Sequence, residues 1–143
     1  MQESTHFLTV RELAESLASG EMTSVQLTQM YLDRAEELDP PPFDLPSEPR
    51  SDHEGQLSTM VTIAREHALE SAEQADAELR SGRRRSILHG IPYGVKDLLD
   101  TDGIRTTWGS GIFRDRVPER NAAVIDKLAE AGAVLMAKMS LGE

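Results

Sequence analysis

The grouping with most chemical potential in this sequence is Gly94-Val95-Lys96-Asp97, a lysine at the end of an apolar, glycine-flanked stretch. A lysine drawn into apolar surroundings loses solvation for its charged form. Its pKa falls, and the neutral amine can then take and return protons at neutral pH. The same spacing also fits a lysine that extends its head to water or pairs with Asp97, and composition leaves both open. The hydroxyls available as nucleophiles are Ser86, Ser110 and Ser140. Ser110, in Trp108-Gly109-Ser110-Gly111, superficially resembles a nucleophile turn.

Other chemistries are excluded by what the chain lacks. It has no cysteine, which removes disulfides, thiolate nucleophiles and Cys-ligated zinc. His6, His53, His67 and His89 are scattered without HxxxH or HxH spacing, so neither a metal site nor a cofactor is expected. Fifteen basic against 25 acidic residues give a net charge of −10, which argues against direct binding to nucleic acid. The basic run Arg83-Arg84-Arg85 reads as a solvated loop after a helix. The first seven residues lack a secretion-signal pattern, and no apolar run is long enough to span a membrane. The expectation is a cytoplasmic protein without a membrane partner.

The elements that must position Lys96 follow from caps, periodicity and punctuation. Thr9 with Glu12 makes a capping box before Val10, Leu13, Ala14 and Leu17, with Gly20 placed to stop the helix. Thr23 with Gln26 repeats the device before a longer helix that ends at Asp39 and the run Pro40-Pro41-Pro42. Residues 40–56 read as a Pro-rich surface loop. Residues 57–63 read as a strand, followed by a helix over 64–81 whose alanines, Ala68, Ala72 and Ala75, suit close packing. A strand is predicted through Ile91 to Lys96, then a turn at Asp102-Gly103 and a short return near Ile104 to Thr107. Asn121 is predicted to cap a helix to Ala131, with Val124, Ile125 and Leu128 inward. A buried strand over 133–138 follows Gly132, completing the αβ half of a parallel βαβ unit. Strands alternating with helices make the fold class α/β.

Three blocks occur in an order that resembles the amidase-signature family. They are Gly90 to Asp97 (GIPYGVKD), Gly103 to Ser110 (GIRTTWGS), and Glu130 to Lys138, the last joining a helix ending in EAGA to a strand ending in Ala137-Lys138. The upstream helices, strand and alanine-rich helix also fit, and the likeness is weakest over residues 40–56. The resemblance implies a mixed sheet flanked by helices. It also implies a mechanism in which one serine attacks an amide carbonyl, a second relays protons and a lysine is their base. Matched motif to motif, that lysine is Lys96. The GIRTTWGS block makes Thr106, Thr107 and Ser110 bracing residues in this pattern.

The paired serines of the family have no counterpart in this sequence. The resemblance therefore implies that residues 1–143 are the N-terminal fragment of a single amidase-signature domain. Within it, 1–39 form a helical hairpin, 40–56 a Pro-rich loop, and 57–143 the start of an incomplete α/β core. The complete enzyme would hydrolyse a small-molecule carboxamide by a Ser-Ser-Lys mechanism. This chain would supply only the lysine and would be inactive alone. The same blocks fit the amide-cleaving component of tRNA-dependent amidotransferase, which releases ammonia from glutamine and works with partner subunits. The Pro-rich insert and the Ser140-Leu141-Gly142-Glu143 ending incline towards a general amidase. A non-catalytic binding protein is the third reading, and exposed strand edges would count against it.

Overall fold

Both predicted capping boxes form. In the computed structural model, which describes residues 3–39 and 59–140, Thr9 Oγ1 accepts the Glu12 N–H. The Glu12 carboxylate in turn accepts from Thr9, opening helix α1 (Val10–Ser19), which ends at Gly20 in the left-handed region. Thr23 and Gln26 do the same for α2 (Ser24–Leu38). Each box satisfies backbone N–H groups that a helix start leaves unpaired. Leu13, Ala14 and Leu17 are buried as expected, whereas Val10 is exposed. The Pro-rich loop of residues 40–56, and residues 57–58 of the expected strand, lie outside the described residues.

The remaining elements are β1 (Met60–Ile63), α3 (Arg65–Arg80), β2 (Pro92–Lys96), α4 (Ala123–Glu130) and β3 (Val134–Met139). They form a mixed sheet of order β1-β3-β2, in which β3 runs parallel to β2 and antiparallel to β1. The β2-α4-β3 connection is the expected βαβ unit. Among the described residues β1 and β2 are both edge strands.

The sheet is covered on both faces. On one side Val134, Met136 and Ala137 pack against Leu32 and Ala35 of α2 and against Ala68 and Ala72 of α3. The two α3 alanines are fully buried, and their small size lets that helix lie close to the strands. On the other side Leu135 and Val95 meet Ile104 and Ile125. Two buried carboxylates tie α2 to its neighbours. Asp76 of α3 accepts the first N–H groups of α2, from Ser24 at 2.7 Å and Val25 at 3.1 Å. Asp39, at the end of α2, accepts from Thr59 N and Met60 N at 2.5 and 2.7 Å and so fixes the start of β1.

Four expectations need correction. Ala122, not Asn121, is the N-cap of α4, and no side chain caps that helix. The Asn121 carbonyl oxygen is instead taken by the Asp102 N–H at 2.7 Å, because the Asp102-Gly103 turn folds back onto the same spot. Val124 is exposed and Ile125 alone of α4 is buried, since an eight-residue helix reaches the sheet at one turn only. Ile104 to Thr107 is not a return strand: Thr106 N donates to Arg116 O and Thr107 N to the Asp97 carboxylate. Finally, Arg83 and Arg85 are not simply solvated. Both pair with Glu78, which is buried, and Arg85 also donates to Ala129 O at 3.0 Å.

Candidate functional site

The alternation of β2 decides where Lys96 points. Val95 and Asp97 are buried on the α4 side of the sheet, so Lys96 between them faces the opposite side, as does Gly94. Lys96 is exposed, at the last position of β2 and opposite Met139 of β3. Of the two arrangements that composition left open, a buried amine and one that extends to water, the described residues show the second. Asp97 does not pair with it, for that carboxylate is turned inward onto Thr107.

An apolar groove of about 530 Å³ lies on the Lys96 side, between the sheet and the first two helices. Tyr31, Ala35, Met60, Gly94, Met136 and Met139 are among its walls. A Cβ on Gly94 would stand 2.8 Å from the Met139 sulfur, so only glycine lets that side chain lie against β2. Tyr93 also borders the groove, and burial pushes its phenol up to about 12.

Behind Lys96, on the other face, the polar residues of the GIRTTWGS block converge with two charged groups. Asp97 Oδ2 accepts from Thr107 N at 2.9 Å and from Thr107 Oγ1 at 2.5 Å, while Asp97 Oδ1 is buried without a hydrogen-bond partner among the described residues. Lys138, in the middle strand, is wholly buried. Its ammonium donates to Leu99 O, to Thr101 Oγ1 at 2.8 Å and to Thr106 Oγ1 at 2.8 Å. Those are all three N–H bonds that an ammonium has. Burial lowers the pKa of Lys138, and the nearby charges of Asp97 and Asp100 oppose that shift. The amine drawn into the interior is therefore Lys138, a residue the sequence reading did not single out. Its signal in the sequence is a lysine closing the apolar run AVLMAK, a pattern that by itself shows only a strand.

The bracing expected of the other hydroxyls is present. Thr106 and Thr107 are fully buried within this network, and Ser110 Oγ accepts from Ile112 N at the start of a short 3-10 helix. Ser86 Oγ donates to Ala131 O at 2.7 Å and accepts from Leu88 N at 2.9 Å, so it too is occupied in holding backbone. Trp108 departs from ordinary backbone geometry with φ of 54°. Its N–H donates to Asp97 O at 3.2 Å, and its indole N–H to Asp100 at 3.0 Å. The Arg116 guanidinium sits 4.2 Å from the indole centroid and grips both oxygens of Asp100. Arg116 holds the Asp100 carboxyl below its ordinary pKa. Among the described residues no group of three or more His, Asp or Glu is placed to hold a metal ion, and no helix is long and apolar enough to cross a membrane.

Comparison with known proteins bears on this arrangement. The family model described as Amidase matches residues 50–143, which include Lys96, the threonine pair and Lys138. The A-type subunit of the glutamyl-tRNA(Gln) amidotransferase of Dehalococcoides mccartyi is 38% identical over 136 residues, covering 95% of this chain and 25% of that protein. The native peptide amidase of Stenotrophomonas maltophilia superposes with a TM-score of 0.79 at 32% identity, over 94% of this chain and 25% of that one. An amidase family protein from Bacillus anthracis gives 0.76 at 29% identity, over 92% and 24%. The chain thus spans about a quarter of the length of the relatives it matches.

Proposed function

The chain belongs to the amidase family, and from that premise we propose that it works as part of an enzyme hydrolysing a carboxamide to a carboxylate and ammonia or an amine. The observation that carries the reading is Lys96, the lysine of the family's VKD block, exposed at the end of β2, an edge strand among the described residues, on the side of the sheet that holds the apolar groove. In this reading Lys96 is the general base. As a neutral amine it draws a proton through a serine relay while the nucleophilic serine attacks the carbonyl, and as an ammonium it returns that proton to the leaving amine. The serines and the oxyanion donors come from outside residues 1–143. The groove, whose lining includes Met139, the cross-strand partner of Lys96, offers an apolar wall suited to a small-molecule amide with a hydrophobic part. Among the described residues β1 and β2 have open edges, which supports a chain that acts within a larger fold and not as a free-standing binding protein.

The test is Lys96→Ala in the full-length enzyme. Amide turnover should fall by at least about a hundredfold, the scale of a lost general base, with the melting temperature unchanged. A well-folded Lys96→Ala enzyme that still turns over amide would remove Lys96 from the role.

The 38% identity to an amidotransferase component favours a second reading, in which the protein releases ammonia from glutamine for a partner-bound tRNA. Glutaminase activity that rises on adding partner subunits selects this reading. Activity on simple carboxamides without partners selects the first.

A further inference from the structure

A buried lysine needs a reason. Taking an ammonium out of water is costly, and a leucine or methionine at the same position of a middle strand would ordinarily stabilise the sheet as well or better. Lys138 is wholly buried and has all three N–H bonds spent on one short stretch of chain. Two of its acceptors, Leu99 O and Thr101 Oγ1, lie three and five residues beyond Lys96, and the third, Thr106 Oγ1, lies on the segment that returns beneath it. The same stretch is tied to the Lys96 peptide itself. Leu99 N donates to Lys96 O at 3.1 Å, and Asp97 N donates to Met139 O at 2.9 Å, one residue past Lys138. Lys138 pairs with Val95 across the strands, so its side chain and that of Lys96 lie on opposite faces of the sheet. Any influence of Lys138 on Lys96 must therefore pass through the backbone of the turn after β2.

We infer that Lys138 is a positioning residue for Lys96: its ammonium clamps the 97–106 turn and so fixes the strand end from which the Lys96 amine projects. This deepens the proposed function and rests on Lys96 being the base. Thr106 is the most telling contact, because its hydroxyl donates to Ile104 O at 3.0 Å while accepting from Lys138, which locks the clamp to the threonine pair. A general base displaced by about an ångström loses on the order of a hundredfold in rate, so a loosened clamp should lower kcat without weakening substrate binding.

The experiment is a double-mutant cycle in the full-length enzyme between Lys96→Ala and Thr106→Val. The valine keeps the shape of the threonine but removes one acceptor from Lys138. Each variant's folded fraction is read from its thermal unfolding transition and each folded molecule is taken as one active site, so that unfolded enzyme does not enter kcat. Thr106→Val should lower kcat per active site by about tenfold or more with KM within about threefold, and Thr106→Ser, which keeps the acceptor, should restore it. In the Lys96→Ala background Thr106→Val should have no further effect, since positioning an absent amine has no consequence. Lys138→Met is a second, harsher variant expected to show the same pattern if it folds. An unchanged kcat in folded Thr106→Val, or an equal loss in both backgrounds, overturns the inference while leaving Lys96 as the base. Retained turnover in Lys96→Ala would instead overturn the proposed function on which it rests.

Discussion

Replacing Gly132 with alanine should destabilise the protein well beyond what its backbone conformation alone accounts for. Gly132 has φ of 84°, a region in which an alanine costs about 1–2 kcal/mol. A Cβ there would also stand 2.9 Å from His89 Nδ1 and 3.2 Å from the His89 Cα. The imidazole cannot swing away freely: Nδ1 accepts the Arg85 N–H at 2.9 Å, Nε2 lies 3.2 Å from Ala75 O, and the residue is 2% exposed. Overpacking of this kind costs about 1–3 kcal/mol. The sum for Gly132→Ala is about 2–5 kcal/mol. Gly20→Ala is the control, for Gly20 has φ of 75° but no atom within 4 Å of its Cβ position. It should lose only the backbone part, about 1–2 kcal/mol. Urea unfolding of both variants reads the comparison directly, as Gly132→Ala should have the lower midpoint. Equal losses would refute the claim that His89 is clamped between α3 and the α4–β3 turn. The site feels this contact, because Gly90 N donates to Gly132 O at 2.8 Å just before the chain enters β2.

Glu78 should make stability depend on acid. The hydrogen-bonded Arg85 guanidinium, aided by the charge of Arg83, holds its carboxyl at about 2 against an ordinary 4.5. A depressed folded-state pKa gives stability that is present above about 4.5 and lost as pH falls towards 2. Glu78→Gln should flatten the fall in unfolding free energy across that window, and an unchanged slope would remove Glu78 as its source. Asp76→Asn should cost about 1.5–3 kcal/mol, the scale of a hydrogen bond to a charged group, since one amide oxygen replaces two carboxylate oxygens at the start of α2. A loss under about 0.5 kcal/mol in urea unfolding would show that water replaces Asp76 there.

The parts of the fold legible in the sequence are those set by neighbours along the chain. The capping boxes at Thr9 and Thr23, the stop at Gly20 and the spacing of Ala68 and Ala72 are all local, and each stands where expected. The failures involve competition from distant residues. Asn121 has the side chain of an N-cap, but the Asp102 N–H reaches its oxygen first. Thr106 and Thr107 have the β-branched character of a strand, but their backbone N–H groups go to Arg116 O and to Asp97. Arg85 reads as part of a solvated run because nothing nearby in sequence shows that Glu78, one helix end away, is buried and awaits a cation.

The same limit explains why composition could not decide which of the two lysines is buried. Apolar neighbours such as Val95 say that a segment is near the core, but they do not say which side of it is. In a strand that is decided by parity: once Val95 and Asp97 turn inward, Lys96 must turn out. Lys138 has the opposite parity. Its neighbours Ala137 and Met139 border the groove on the α2 face, and Lys138 is carried to the other face beside Val95. Its charge survives there only because Leu99 O, Thr101 and Thr106 meet it. The arrangement divides the work between the two faces of one sheet. One face holds a saturated, immobile ammonium that can neither give nor take a proton without breaking its contacts. The other presents Lys96 with its side chain uncovered by the described residues, and under the proposed function the apolar surroundings that favour its neutral form come from the rest of the enzyme.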